Sequence, residues 1–138
     1  MPLTLTYSEA VIPADAVQPI GKKITDAFLK WHGLTGNTVM TPNVTMHIQE
    51  YRDGYTLAGG EVTAGVWLEC KTPSFALADR SIQEGFFAEA TDIIAAYAET
   101  RVRRDQIYTN AVHTVDGSWN LDGRALTNAQ LGAAISRG

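Results

Sequence analysis

Pro2, directly after Met1, is the residue whose type and place offer the most chemistry. A small residue in second position permits removal of an initiator methionine, and proline then becomes a secondary amine at the chain start. A free α-amino group titrates at about 7.7–8.0, and burial penalises its cation and lowers that value. A tenfold change in the protonation equilibrium takes only about 1.4 kcal/mol, so modest desolvation beside one positive charge suffices to change the resting protonation state. A neutral amine there can carry a proton between the carbon and oxygen of an enol; a cationic one can protonate carbon while water adds elsewhere. The alternative is a strand-edge proline, tolerated where the ladder needs no donor.

The other candidates are sparser. His32, His47 and His113 have neither metal-ligand spacing nor a Cys or carboxylate companion, so no metal is expected. His47 falls opposite the Val44, Met46 and Ile48 face of its strand and reads as structural, whereas His113 stands near a strand end, where pockets form. The single cysteine, Cys70, alternates with polar neighbours and reads as a core residue. Asp116 and Asp122 could position water, although loop aspartates mostly form turns. No phosphate loop, nucleotide-binding glycine fingerprint or Gly-x-Ser-x-Gly elbow occurs, and no cofactor is expected.

The elements that must position these groups follow from periodicity. Leu3, Leu5 and Tyr7 alternate with Thr4 and Thr6, as in a half-buried strand. Val17, Ile20, Ile24, Ala27, Phe28 and Trp31 recur at helical spacing, with Gly33 as a stop. Pro19 requires either a late start, near Asp15, or irregular first turns. Val44 to Gln49 alternates as a strand, and Arg52-Asp53-Gly54 turns the chain before a short hairpin arm at Tyr55 to Ala58. Val66 to Lys71 alternates again. Ile82, Phe86, Ala90, Ile93, Ile94 and Tyr97 predict a long second helix, capped by Ser81 with Glu84 or by Asp79. Ile107 to Thr114 is the last strand of the pattern, and a short helix is expected at Asn128 to Ile135.

The order strand, helix, strand therefore occurs twice, with Leu3 and Val66 opening equivalent strands. One α+β domain over 1–138 is expected, comprising a βαβ unit with a hairpin arm (1–60), a second unit (61–115) and a tail (116–138) that could lie on a neighbour. Right-handed crossovers would put both helices on one face of a mixed four-stranded sheet and leave the other face apolar and uncovered, so a homo-oligomer is expected.

Composition narrows the partners. A net charge of −4 over 138 residues provides no basic footprint for nucleic acid or an anionic membrane. The opening MPLTLTYSEA lacks a basic region followed by a long apolar run, and no stretch of about twenty apolar residues occurs, so a cytoplasmic protein is expected.

A Met-Pro start leading into a strand, followed by two βαβ units, resembles the tautomerase superfamily over nearly the whole chain. Lys23-Ile24-Thr25-Asp26-Ala27, His32-Gly33-Leu34-Thr35-Gly36 and Leu57-Ala58-Gly59-Gly60 resemble its cis-3-chloroacrylic acid dehalogenase-like group. Trp119-Asn120-Leu121-Asp122-Gly123-Arg124 resembles the tail of the malonate semialdehyde decarboxylases. The resemblance implies a homotrimer and an isomerase that uses Pro2, without cofactor, on small 2-oxo or α,β-unsaturated carboxylic acids. Keto–enol tautomerisation is the first expectation, with decarboxylation or hydration as variants. Those relatives hold the substrate carboxylate with arginines after the third main strand. Here that segment, Glu69 to Phe75, has none before Arg80. Lys71 or Arg80 must then supply the charge, a lysine without the bidentate fork, or Thr72 and Ser74 with backbone donors must cradle the anion. Alignment places Phe28 at the group's helix histidine, with His32 a turn later, Asn110 at its tyrosine, and Asn43 at the decarboxylases' aspartate. Asn110 or His113 would polarise an oxygen, and Trp119 and Leu121 would wall the pocket. With these helpers replaced, a non-catalytic binding or signalling protein that retains the fold is the alternative.

Overall fold

A computed structural model describes residues 1–138. Four strands, β1 (Pro2–Ser8), β2 (Thr45–Tyr51), β5 (Val66–Pro73) and β6 (Ile107–Thr114), form one sheet in the order β2-β1-β5-β6. β1 and β2 are parallel, as are β5 and β6, and the two pairs meet antiparallel, with Leu3 opposite Cys70 and Leu5 opposite Leu68. Helices α1 (Val17–Trp31) and α2 (Arg80–Ala98) are the crossovers. The duplicated βαβ pattern thus appears as read, because each apolar stripe has one sheet face on which to bury itself.

Several local devices account for the boundaries. A 3₁₀ turn at Ala14–Ala16 leads into α1, and Pro19 occupies its first turn, where the missing N–H would have had no acceptor in the helix. At the other end Leu34 N–H reaches Leu29 O at 2.8 Å and Gly33 N–H reaches Lys30 O at 3.0 Å, while Gly33 takes φ 65°. This is the paired closure of a Schellman stop. α2 is capped by Asp79, whose carboxylate accepts from the N–H groups of Ser81 and Ile82. The Ser81 hydroxyl also donates to Asp79, at 2.5 Å, so Ser81 is not the cap. The hairpin arm lies later than the alternation suggested: β3 (Leu57–Ala58) pairs with β4 (Glu61–Val62) around Gly59-Gly60, whose positive φ angles suit the tight turn.

The core lies between the sheet and the two helices. Leu3, Leu5, Leu68 and Cys70 from the strands meet Ile20, Ile24, Phe28, Phe86, Ala90 and Ile94 from the helices, all fully buried. Phe28 and Phe86 meet edge to face at 5.3 Å. Burial pushes the Cys70 thiol up to about 12, which keeps it protonated and inert.

The tail packs on its own chain: hairpin β7 (Trp119–Leu121)/β8 (Arg124–Leu126) and α3 (Asn128–Ile135) bury Leu126, Leu131 and Ala134. Asn37 Nδ2 donates to Ile135 O, and Asn128 Nδ2 to Ser74 Oγ. The helix-free sheet face is uncovered but not apolar. Across it run Thr45, Pro2, Lys71 and Val112; then His47, Thr4, Glu69 and Asn110; then Gln49, Thr6, Trp67 and Tyr108. The last row carries the largest apolar surface, with Trp67 and Tyr108 stacked at 5.8 Å, and Val112 in the first row is a further exposed apolar side chain. The periodicity that fills the helix side leaves the opposite positions to mostly polar residues.

Candidate active site

Alternation along β1 sends Leu3, Leu5 and Tyr7 to the helices and Pro2, Thr4 and Thr6 to the open face. Pro2 is half-buried and in register with Thr45 on β2, and one further step of the β1–β5 register puts it opposite Lys71. The residue joined to its nitrogen is firmly seated. Met1 is 4% exposed and belongs to the main core. Its carbonyl oxygen accepts from Thr45 N–H at 3.1 Å, and its amine donates to the Asn43 carbonyl oxygen. Desolvation brings that amine down to about 6. At pH 7 the Met1 amine is therefore mostly neutral.

Lys71 extends from the same face, with its Nζ 3.2 Å from Glu69 Oε1. The two are i and i+2 on one strand, so alternation alone places them side by side. Asn110 lies in register with Glu69 on β6, on the open face and exposed to solvent. Pro2, Lys71, Glu69 and Asn110 thus share one region of the sheet.

The other candidates are elsewhere. Thr72 points to the helix side, is fully buried, and gives its hydroxyl to Ala76 O at 3.3 Å. It has no free group for a substrate carboxylate. His113 is in register with Thr72 and so belongs to that opposite side of the sheet, exposed at the edge strand. Arg80 opens α2 in solvent, its Nε paired with Glu84 at 2.9 Å. Trp119 and Leu121 are half-buried on the β7/β8 hairpin, where Trp119 packs on the core. Asp122 and Gly123 form the hairpin turn, with φ 52° and 74°, and Asp116 accepts from Asn128 N–H. Both aspartates are thus turn or capping groups.

His32 has a structural position that its spacing did not reveal. Its Nε2 accepts from Leu77 N–H at 3.1 Å, so the proton resides on Nδ1, which faces Phe28 O at 2.8 Å. The neutral ring ties the end of α1 to the loop before α2, and burial holds its titration below the ordinary histidine range. His47 is exposed on the open face beside Thr4. Glu69 and Thr45 N–H were not singled out in the sequence, and Asn43 was noted there for its side chain and not its C=O. The i, i+2 charge pair was visible there; the two backbone groups carry no side-chain signal.

Open cavities lie between α1 and β2, around Pro13 and Tyr97, between the helices, beside Arg52 and Thr56, and near Thr35, and Pro2 walls none of these.

No family model and no curated protein sequence matches the chain. Solved structures do. A fused 4-OT wild-type symmetric trimer superposes with TM-score 0.76 at 13% identity, covering 96% of this chain and 99% of that one. N1, a member of the cis-3-chloroacrylic acid dehalogenase (cis-CaaD) family, gives 0.73 at 9% identity over the whole of both chains. A macrophage migration inhibitory factor-like protein from Entamoeba histolytica gives 0.69 at 16% identity, covering 91% and 97%. The chain has the tautomerase-superfamily fold. Across that fold the expected βαβ duplication and mixed sheet are present, while the likeness of the tail to malonate semialdehyde decarboxylases finds no support among these structures.

Proposed function

We propose that this chain is a cofactor-independent enzyme of the tautomerase superfamily, active once Met1 is removed, with the Pro2 amine as both general base and general acid. The substrates are small 2-oxo or α,β-unsaturated carboxylic acids, and keto–enol tautomerisation is the reaction. The observation that carries this reading is the place of Pro2, the first residue of β1, half-buried on the open face and one register step from Lys71. In the ketonisation direction the neutral Pro2 nitrogen accepts the enol hydroxyl proton and delivers a proton to the adjacent carbon. The C=C pair forms the new C–H bond, and the O–H pair becomes the carbonyl. Lys71 draws the carboxylate to the site and Asn110 polarises the oxygen, since both share the open face with Pro2. Arg80 is a weaker candidate because Glu84 already neutralises it. Decarboxylation and hydration are variants of the same proton chemistry.

The protein is proposed to act as a cytoplasmic homotrimer, with the open sheet faces turned toward one another. The symmetric trimer among the similar structures supports that arrangement. No helix is long and apolar enough to cross a membrane.

Intact mass should show loss of Met1, and Pro2→Ala or retention of Met1 should abolish ketonisation of phenylenolpyruvate or 2-hydroxymuconate. Unchanged turnover in either form would refute the mechanism. Titration of the Pro2 nitrogen in labelled mature protein should give a value below the ordinary amine range. The Glu69–Lys71 pair favours a second reading, a non-catalytic binding protein: it leaves no net cation beside Pro2. That reading requires no turnover of either enol by the processed trimer.

A further inference from the structure

Met1 is held at three points beside the Pro2 nitrogen. Its carbonyl oxygen accepts from Thr45 N–H at 3.1 Å. Its amine donates to Asn43 C=O, and its side chain is buried in the main core. Cleavage of the Met1–Pro2 bond therefore releases more than an amine. It frees a backbone donor on β2, a backbone acceptor in the turn before it, and the apolar slot that the Met1 side chain fills in the core. These surround the direction in which the nitrogen had bonded carbon, and in the free amine that direction is available to a lone pair or a proton. A ligand that bonds to both replaces the two contacts that Met1 made.

Resting on the Pro2 reading above, we propose that Met1 occupies the substrate's own subsite, and that the mature site binds the enol of a 2-oxo acid carrying an unbranched aliphatic substituent the size of a methionine side chain. The carboxylate accepts from Thr45 N–H where the Met1 carbonyl had been. Before the transfer the enol hydroxyl donates to Asn43 C=O in place of the Met1 amine; in the transfer it turns to the Pro2 nitrogen, which takes its proton. A ketone oxygen has no hydrogen to give there, so this pairing selects the enol. The substituent enters the slot, and the carbon bearing it faces the Pro2 nitrogen. The ligand sits outward of the Met1 atoms, because a reacting contact of about 3–3.5 Å replaces a covalent bond of about 1.33 Å.

The test compares mature protein, verified by intact mass, with the same chain kept at Met1 by inhibiting the aminopeptidase during expression. Saturated 2-oxo acids of increasing length compete against phenylenolpyruvate, and the Thr45 amide is followed by NMR as a readout separate from turnover. Affinity should rise about fourfold per methylene from pyruvate to 2-oxohexanoate and stop rising at 2-oxooctanoate. The Thr45 amide should shift on binding, and the Met1-retaining chain should bind none of them. Thr45→Pro removes the donor on an edge strand, after Val44 in the extended conformation that a residue before proline adopts (φ −98°, ψ 101°). It should weaken binding about tenfold or more. If that variant fails to fold, the length series and the amide shift decide. Affinity independent of length, an unmoved Thr45 amide, or binding by the Met1-retaining chain, each with Pro2-dependent turnover intact, overturns the subsite alone. Turnover that survives Pro2→Ala overturns the Pro2 reading, and the subsite with it.

Discussion

Gly85→Ala places a methyl group where the structure has none to spare. Gly85 lies in the second turn of α2, and a Cβ there would stand 2.1–2.4 Å from three ring carbons of Trp31 on α1. The indole must move by more than 1 Å to reach ordinary contact, roughly 3.5 Å between carbons. Trp31 is tethered: its Nε1 donates to Glu89 Oε2 at 2.7 Å, and Lys30, bonded to the same carboxylate, lies 5.8 Å from the ring centre. Overpacking costs about 1–3 kcal/mol. Losing the indole's bond to a partly exposed carboxylate adds about 1.5 kcal/mol, at the low end for charged partners. Helix propensity returns about 1 kcal/mol. The net loss is about 1.5–3.5 kcal/mol, and for a chain of this length each kcal/mol is about 3.5 °C, so melting should fall by about 5–12 °C. Calorimetry of Gly85→Ala, Trp31→Leu and the double variant tests this as a cycle. On the Trp31→Leu background the clash is gone, and Gly85→Ala should stabilise by about 1 kcal/mol. A single variant that melts unchanged, or higher by the few degrees propensity alone would provide, would refute the account of how the two crossover helices lock together.

Other outcomes follow from the site and its supports. Glu69→Gln releases Lys71 from its pair and should lower the KM for an anionic enol by about 1.5- to 5-fold, the range of an exposed ion pair, with the difference fading in high salt; Lys71→Ala should raise KM. His32 is neutral in the fold with its titration depressed by burial, so its contribution to stability is complete above the unfolded value of about 6.5 and is lost as pH falls below it. His32→Gln should flatten that acid limb in thermal melts followed from pH 7.5 to 5. Asp79→Ala removes the α2 cap and should lower the melting temperature at neutral pH. The hydrogen bonds from Ser81 and Ile82 depress the Asp79 carboxyl, so the difference should persist above about pH 3.9 and shrink as the carboxyl protonates below it; a pH-independent difference would point to the backbone instead.

The sequence by itself determined the element order, because apolar period two or 3.6 is local and each stripe needs only one face to bury. It also marked Pro2 as the exceptional group, Cys70 as core, and Asn128 to Ile135 as a helix. What it could not settle were matters of relative placement. The open face was expected to be apolar, yet alternation constrains only the packed side and leaves His47, Glu69, Lys71 and Asn110 on the other. Lys71 and Thr72 are consecutive, the first expected to hold the anionic end and the second offered as an alternative. The β1–β5 register sends one to the face of Pro2 and buries the other against Ala76 O. His32 and Leu77 are joined across 45 residues, a distance that no periodicity spans. The environment of the terminal amine is the most tertiary property of all. The bond from the Met1 amine to Asn43 C=O exists only because the chain returns alongside β1 as parallel β2, and burial there depresses its titration.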